Sequence, residues 1–266
     1  MSFKSSTDIT VLCHVLLLVG LAVSGSLSGV FSDIVYICAF VLPTLLGLFL
    51  GKKIGGGWVG LGISKSNIGL FLPIVFPAVL LILGVSELTS FILSLGGAEN
   101  DVTIYGSFFE NVIRHVILPA VLEEAVFRYL PMTLFKKENR CAVILVSSLC
   151  FALVHCNLFQ IPYAFIAGVI FMAANLAFES PLPSLVLHIV NNLVSVISLY
   201  YGGDAVILSV CSLLAALSIA FIVIERKRYF DKLTHIFLVK SEYKLSYSLL
   251  LLIIPTLLMS IVNLLG

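Results

Sequence analysis

The stretch Leu122-Glu123-Glu124-Ala125-Val126-Phe127-Arg128 sets two carboxylates and a guanidinium inside an apolar run long enough to cross a bilayer. An ionised group near the bilayer centre costs about 2.5–3.5 kcal/mol on insertion scales, so acids in such a place point to a functional site. Glu124 and Arg128 are four residues apart and share a helical face, whereas Glu123 lies about 100° away. The arginine can hold one carboxylate and leave the other to react. Two further polar sets follow: Phe151 and His155 are four apart, and so are His188 and Asn192, with Asn191 adjacent. Acids on one helix, an imidazole on a second, and an imidazole plus an amide on a third fit hydrolysis. A carboxylate and His155 would activate a water, while His188 and Asn192 would stabilise the oxyanion, a contribution of about 2.7–4 kcal/mol per donor. The same carboxylate would then protonate the leaving amine. Each set alone also suits a structural role, as a buried ion network, a core histidine or an interhelical polar clamp.

The elements that position these groups are membrane helices. Of 266 residues 60% are hydrophobic and 11% charged, with a mean hydropathy of +1.16, whereas a water-soluble domain carries about 25% charge. The fold class expected is all-α, a polytopic transmembrane helical bundle of about eight or nine spans. Apolar runs lie approximately at 10–30, 34–51, 69–93, 108–135, 141–159, 162–178, 181–200, 205–224 and 246–265, and about 20 residues cross a hydrocarbon core of about 30 Å. The expected organisation is a single integral membrane domain over 1–266 with its catalytic core at about 105–200. A net charge of +1 gives no reason to expect nucleic acid. The partners expected are the lipid bilayer and a peptide or membrane-anchored protein substrate.

The charges orient the bundle. With the amino terminus and Lys4 cytoplasmic, Lys52, Lys53, Lys65, Lys136, Lys137, Arg140 and the cluster from Arg226 to Lys244 all fall inside. Only Arg114 and Arg128 remain, both in the fourth run. The connections around Asp33, Glu99 to Asp101, Cys156 to Pro162 and Tyr201 to Asp204 carry no Lys or Arg, as outer loops should. The carboxyl terminus then lies outside in a multi-pass cell-membrane protein, with Pro255 expected to kink or break the last span. Lys4, the apolar run after it and Ala22, Ser24 and Gly25 also have the order of a secretory signal, although the apolar stretch continues almost directly into the second span. The six cysteines form no CxxC pair and read as small packing residues. Trp58, after Gly55-Gly56-Gly57, reads as an interfacial anchor.

Glu-Glu-x-x-x-Arg, then Phe-x-x-x-His, then His-x-x-x-Asn, in this order on the fourth, fifth and seventh of these spans, resembles the CPBP family of intramembrane proteases, which includes the CAAX prenyl proteases and bacteriocin-processing enzymes and is also called Abi. The motifs here are Glu123 to Arg128, Phe151 to His155 and His188 to Asn192, and the resemblance covers about residues 105–200. It implies an endopeptidase acting in or near the membrane on a lipidated or membrane-associated chain. By motif position Glu123 would be the general base, His155 its partner on the water, and His188 with Asn192 the oxyanion donors. Glu124 and Arg128 would organise the site, with Phe151 supporting it. The family was named as metalloproteases, and a Zn2+ ion, if used, would take Glu123, His155 and His188. No His-Glu-x-x-His helix is present, and the same groups suffice for a metal-free glutamate mechanism. The short loops resemble members tied to bacteriocin maturation or secreted signalling peptides.

Two other classes use such residues. A non-catalytic scaffold or bacteriocin self-immunity protein would bind a partner through them, and a small secondary transporter would bury Glu, His and Asn near its midplane, although no repeat relates the two halves. Straight spans also predict a mismatch of depth: Glu123 and His155 fall nearer the outer half and His188 nearer the inner half. The run Ser107 to His115, with Glu110 and Arg114 four apart, is amphipathic and is expected along the interface, which would shift the register.

Overall fold

The structure, a computed structural model, describes residues 3–53, 55–57, 59–63, 65–95, 106–135, 140–201, 204–237 and 248–265. Among these the chain is helical with no strand, an all-α membrane bundle. Its elements are α1 (Phe3–Gly25), α2 (Gly29–Lys53), α3 (Lys65–Leu95), α4 (Phe108–Asn111), α5 (Leu118–Glu124), α6 (Leu130–Phe135), α7 (Arg140–Leu153), α8 (Ile161–Phe178), α9 (Leu182–Tyr201), α10 (Asp204–Ile224), α11 (Arg226–Phe237) and α12 (Ser248–Leu265). Five helices are long and apolar enough to cross a membrane: Ser5–Gly25, Gly29–Lys53, Asn67–Leu95, Ile161–Phe178 and Leu182–Tyr201. Arg140–Leu153, Ser209–Ile224 and Leu252–Ile261 are shorter apolar helices.

The molecule is apolar outside and partly polar inside. Leu42, Phe91, Leu213 and Leu217 are exposed, whereas Thr7, His14, Arg128, Ser147 and Asn175 are buried. Hydrocarbon offers no hydrogen bonds, so polar groups turn inward or back onto their own helix. Thr10 donates to the Ser6 carbonyl at 2.9 Å, and Thr44 to that of Phe40 at 2.8 Å. Small residues bring the helices close: a Cβ on Gly168 of α8 would stand 2.8 Å from the Ser148 Cα of α7.

Cross-links define two ends of the bundle. At one, Arg140 pairs with Glu179 at 3.6 Å, the Ser6 hydroxyl donates to Leu134 at 3.0 Å, Ser180 donates to Leu61 at 3.1 Å and Tyr229 to Leu70 at 2.6 Å. At the other, Arg114 pairs with Asp33 at 3.1 Å, and Tyr200 donates to the Gly106 carbonyl at 2.7 Å.

Several expected spans differ from what forms. The run 141–159 is helical only to Leu153, because Cys156 adopts a left-handed φ of +46° and the Asn157 side chain accepts from the Phe159 N–H at 2.8 Å, turning the chain. Within the basic cluster after α10 the chain forms a further helix, α11. Helix α12 continues past Pro255. Glu110 and Arg114 pair at 3.4 Å as their spacing predicts. The described cysteines are all free. Trp58, Lys136, Lys137, Glu99, Asp101, Lys240 and Lys244 lie outside the described residues. The largest difference concerns 108–135, which is not one helix but α4, α5 and α6 joined by two π-helical turns, Val112–Ile117 and Ala125–Tyr129.

Candidate active site

The site begins with two prolines. Pro119 and Pro131 have no N–H, so the carbonyls four residues earlier, His115 and Phe127, lose their helical partners. Before each proline the backbone widens: the Leu118 N–H reaches the Ile113 carbonyl and the Leu130 N–H that of Ala125, both five residues back. Such π turns cluster at functional sites. Side chains from other helices take up the freed carbonyls. Asn192 of α9 donates through Nδ2 to the His115 carbonyl at 3.2 Å. Ser147 of α7, fully buried, donates through Oγ to the Phe127 carbonyl.

The rewound segment carries the acids to α9. His188 Nδ1 donates to Glu124 Oε1 at 2.9 Å, and its Nε2 stands 3.7 Å from Glu123 Oε2. One imidazole therefore lies between both carboxylates. Glu124 also pairs through Oε2 with Arg128 Nε at 3.6 Å, as the four-residue spacing predicts. Arg128 is 0% exposed and lies over the Phe151 ring, 4.2 Å from its centroid, with Phe171 at 5.4 Å. Aromatic faces stabilise a desolvated cation, so these rings share with Glu124 the task of holding the charge. Phe151 also meets the rings of His155 at 5.2 Å and His188 at 5.6 Å.

His155 projects from the turn that ends α7. Its Nδ1 lies 2.9 Å from the Phe151 carbonyl. A carbonyl only accepts, so Nδ1 carries the hydrogen, and Nε2 of the neutral ring is left as an acceptor.

A cavity of about 370 Å³ joins these groups. Glu123, His155, His188 and Asn192 all line it, together with Phe151, while Glu124 and Arg128 sit behind its wall. The depth mismatch expected of straight spans does not occur, because 108–135 is rewound and His155 lies beyond a helix end. His155 and Glu123 share the cavity, although the ring's hydrogen bond goes to Phe151. Among the described residues no group of three or more His, Cys, Asp or Glu side chains is arranged to hold a metal ion. The conditional Zn2+ set of Glu123, His155 and His188 therefore does not fit as a ligand cage, and no step below runs through a metal.

The structure adds residues that the sequence reading left without a role. His115 lines the cavity and supplies the carbonyl that holds Asn192. Gln160, Tyr163 and Ser195 also face it. Helical spacing could have found some of these: His115, Pro119 and Glu123 run i, i+4, i+8, and His188, Asn192 and Ser195 run i, i+4, i+7. Ser147 carries no such signal, since its partner is a backbone carbonyl on another helix.

The fold and this cavity define a multi-pass helical membrane protein with a carboxylate–imidazole site. Residues 106–194 match the family model described as type II CAAX prenyl endopeptidase Rce1-like. This part of the chain is thus similar to the CPBP/CAAX protease family, which comprises membrane-embedded proteases acting on peptide or protein substrates. No curated protein and no solved structure is significantly similar to it.

Proposed function

We propose that the protein is an intramembrane endopeptidase that hydrolyses a peptide bond in a lipidated or membrane-associated chain with a glutamate-activated water. The observation that carries this reading is the shared cavity: Glu123, His155, His188 and Asn192 line it, and Arg128 and Glu124 brace it from behind. Glu123 takes a proton from water while His155 Nε2 accepts its second hydrogen bond. The hydroxide adds to the peptide carbonyl carbon, and the resulting oxyanion is met by Asn192. An amide nitrogen has two hydrogens, so one holds the His115 carbonyl and the other serves the oxyanion. Donation from His188 to that oxyanion as well as to Glu124 needs hydrogen on both ring nitrogens. That form brings Glu123, Glu124, Arg128 and His188 to zero net charge. Collapse then breaks the C–N bond, and protonated Glu123 returns its proton to the amine.

Glu124 acts through His188, whose Nδ1 hydrogen and ring angle it holds, and Arg128 and the Phe151 ring hold Glu124 in turn. Ile82, Leu83, Val196 and Leu199 form an apolar part of the cavity wall that suits an apolar or lipid-modified substrate. The test compares wild-type protein and Glu123→Gln, both purified in detergent, on quenched leader-peptide and prenylated-peptide libraries with and without a chelator. Cleavage by the wild type alone is the expected result. Equal cleavage by both would remove Glu123 from the mechanism, and a folded protein that cuts nothing would favour a binding scaffold.

A further inference from the structure

The two ends of the bundle differ in charge, and the cavity belongs to one of them. Lys4, Lys52, Lys53, Lys65, Arg140, Arg226, Lys227 and Arg228 all sit at the end tied together by Arg140–Glu179, Ser180–Leu61 and Tyr229–Leu70. Among the described residues the opposite end has one cation, Arg114, and it is already paired with Asp33 at 3.1 Å and Glu110 at 3.4 Å. Short loops rich in Lys and Arg stay on the cytoplasmic side of a membrane. Helix α11, with Arg226, Lys227 and Arg228 exposed and Tyr229 bonded to the start of α3, adds a basic helix to that same end, where anionic lipids attract it.

The cavity lies toward the other end. It takes His155 from beyond the end of α7, Gln160 and Tyr163 from the start of α8, Leu199 from the last turn of α9 and His115 from early in the 108–135 segment. Each of these chain positions is remote from the basic loops.

We infer that the site is fed from the non-cytoplasmic face, and that its substrate class is an exported, membrane-inserted peptide whose scissile bond lies in the outer half of the bilayer. The identity of the substrate rests on the protease reading above, whereas the sidedness does not. This sets the substrate apart from cytoplasmic protein tails, because His155, Gln160, Tyr163 and Leu199 line the cavity from chain positions remote from the basic loops. The apolar wall at Ile82, Leu83 and Leu199 seats the inserted part of the peptide, and Gln160 and Tyr163 meet its polar flank at the mouth.

The test has two arms in sealed vesicles of known orientation. In the first, Ser26→Cys in the α1–α2 loop, Gly60→Cys in the α2–α3 loop and Ser195→Cys in the cavity are introduced singly into the otherwise native chain. A membrane-impermeant maleimide is added, and mass spectrometry reads each engineered position at its own peptide. Ser26 and Gly60 are exposed, so these variants fold. Labelling of the cysteines at 26 and 195 from the non-cytoplasmic side, with that at 60 labelled from the cytoplasmic side, is the expected pattern. Labelling at 195 from the cytoplasmic side only, or from neither side, overturns the inference. The second arm presents one apolar anchored reporter peptide with its cleavable flank on either face. Cleavage on the non-cytoplasmic face alone supports the substrate class, and cleavage on the cytoplasmic face overturns it. Outer labelling with neither reporter cut would sink the protease reading and leave the sidedness standing.

Discussion

Helix α3 and the segment 108–135 each carry two internal prolines and reach different ends. In α3, Pro73 and Pro77 sit within 31 residues of α-helix. In 108–135, Pro119 and Pro131 each follow a π turn, and the carbonyls they free are taken up by Asn192 and Ser147 from other helices. The buried Tyr229 hydroxyl bonds to the Leu70 carbonyl near the start of α3, and not to the Gly69 and Pro73 carbonyls that these prolines free. Proline alone therefore does not rewind a helix. It opens a carbonyl, and the outcome depends on whether a buried donor answers it. Where one does, the extra residue per turn shifts the register of all that follows. Here that shift turns Glu123 toward a cavity and Glu124 toward His188.

Substitutions can break the contrast, and the largest effect is expected at the charge behind the wall. Arg128→Met should leave Glu124 buried without its cation and lower unfolding stability by about 3–5 kcal/mol, read by denaturant or thermal unfolding in detergent. Stability close to wild type would mean that Glu124 does not depend on the arginine. Next comes Asn192→Ala, which should raise the barrier to peptide cleavage by about 2.7–4 kcal/mol if its second hydrogen meets the oxyanion. Adding Pro119→Ala restores an N–H for the His115 carbonyl, so the double variant should regain stability without regaining rate. Recovery of rate would reduce Asn192 to a structural clamp.

A smaller effect is expected at the second proline. Ser147→Ala should cost about 1–3 kcal/mol by leaving the Phe127 carbonyl unpaired, and Pro131→Ala should remove most of that penalty in a double-mutant cycle. Additive losses would show that the two do not share the carbonyl. The smallest effect belongs to α3: Pro73→Ala and Pro77→Ala should leave peptide cleavage unchanged. A large fall in cleavage for either would mean that the prolines of α3 also shape the cavity, and the contrast would fail.

How much of this was legible in the sequence differs from group to group. The pairing of Glu124 with Arg128 follows from a spacing of four, since it is local to one helix. The apolar surface follows from composition, because only hydrocarbon tolerates it. The end of α7 at Leu153 was not legible, since an apolar run does not reveal that Cys156 will take a left-handed turn. That turn sets His155 at the cavity.

Residue order and spacing alone thus specify an all-α membrane bundle, three polar motifs in order on separate helices and the local ion pair, because these depend on hydropathy and on helical periods within one segment. Tertiary packing decides the rest: that His188 stands between two carboxylates, that Arg128 lies on the Phe151 and Phe171 rings, and that two proline-freed carbonyls are answered by Asn192 and Ser147. A hydrogen bond to a backbone carbonyl from a distant helix depends on where that helix lies in space, and periodicity within one segment carries no information about it.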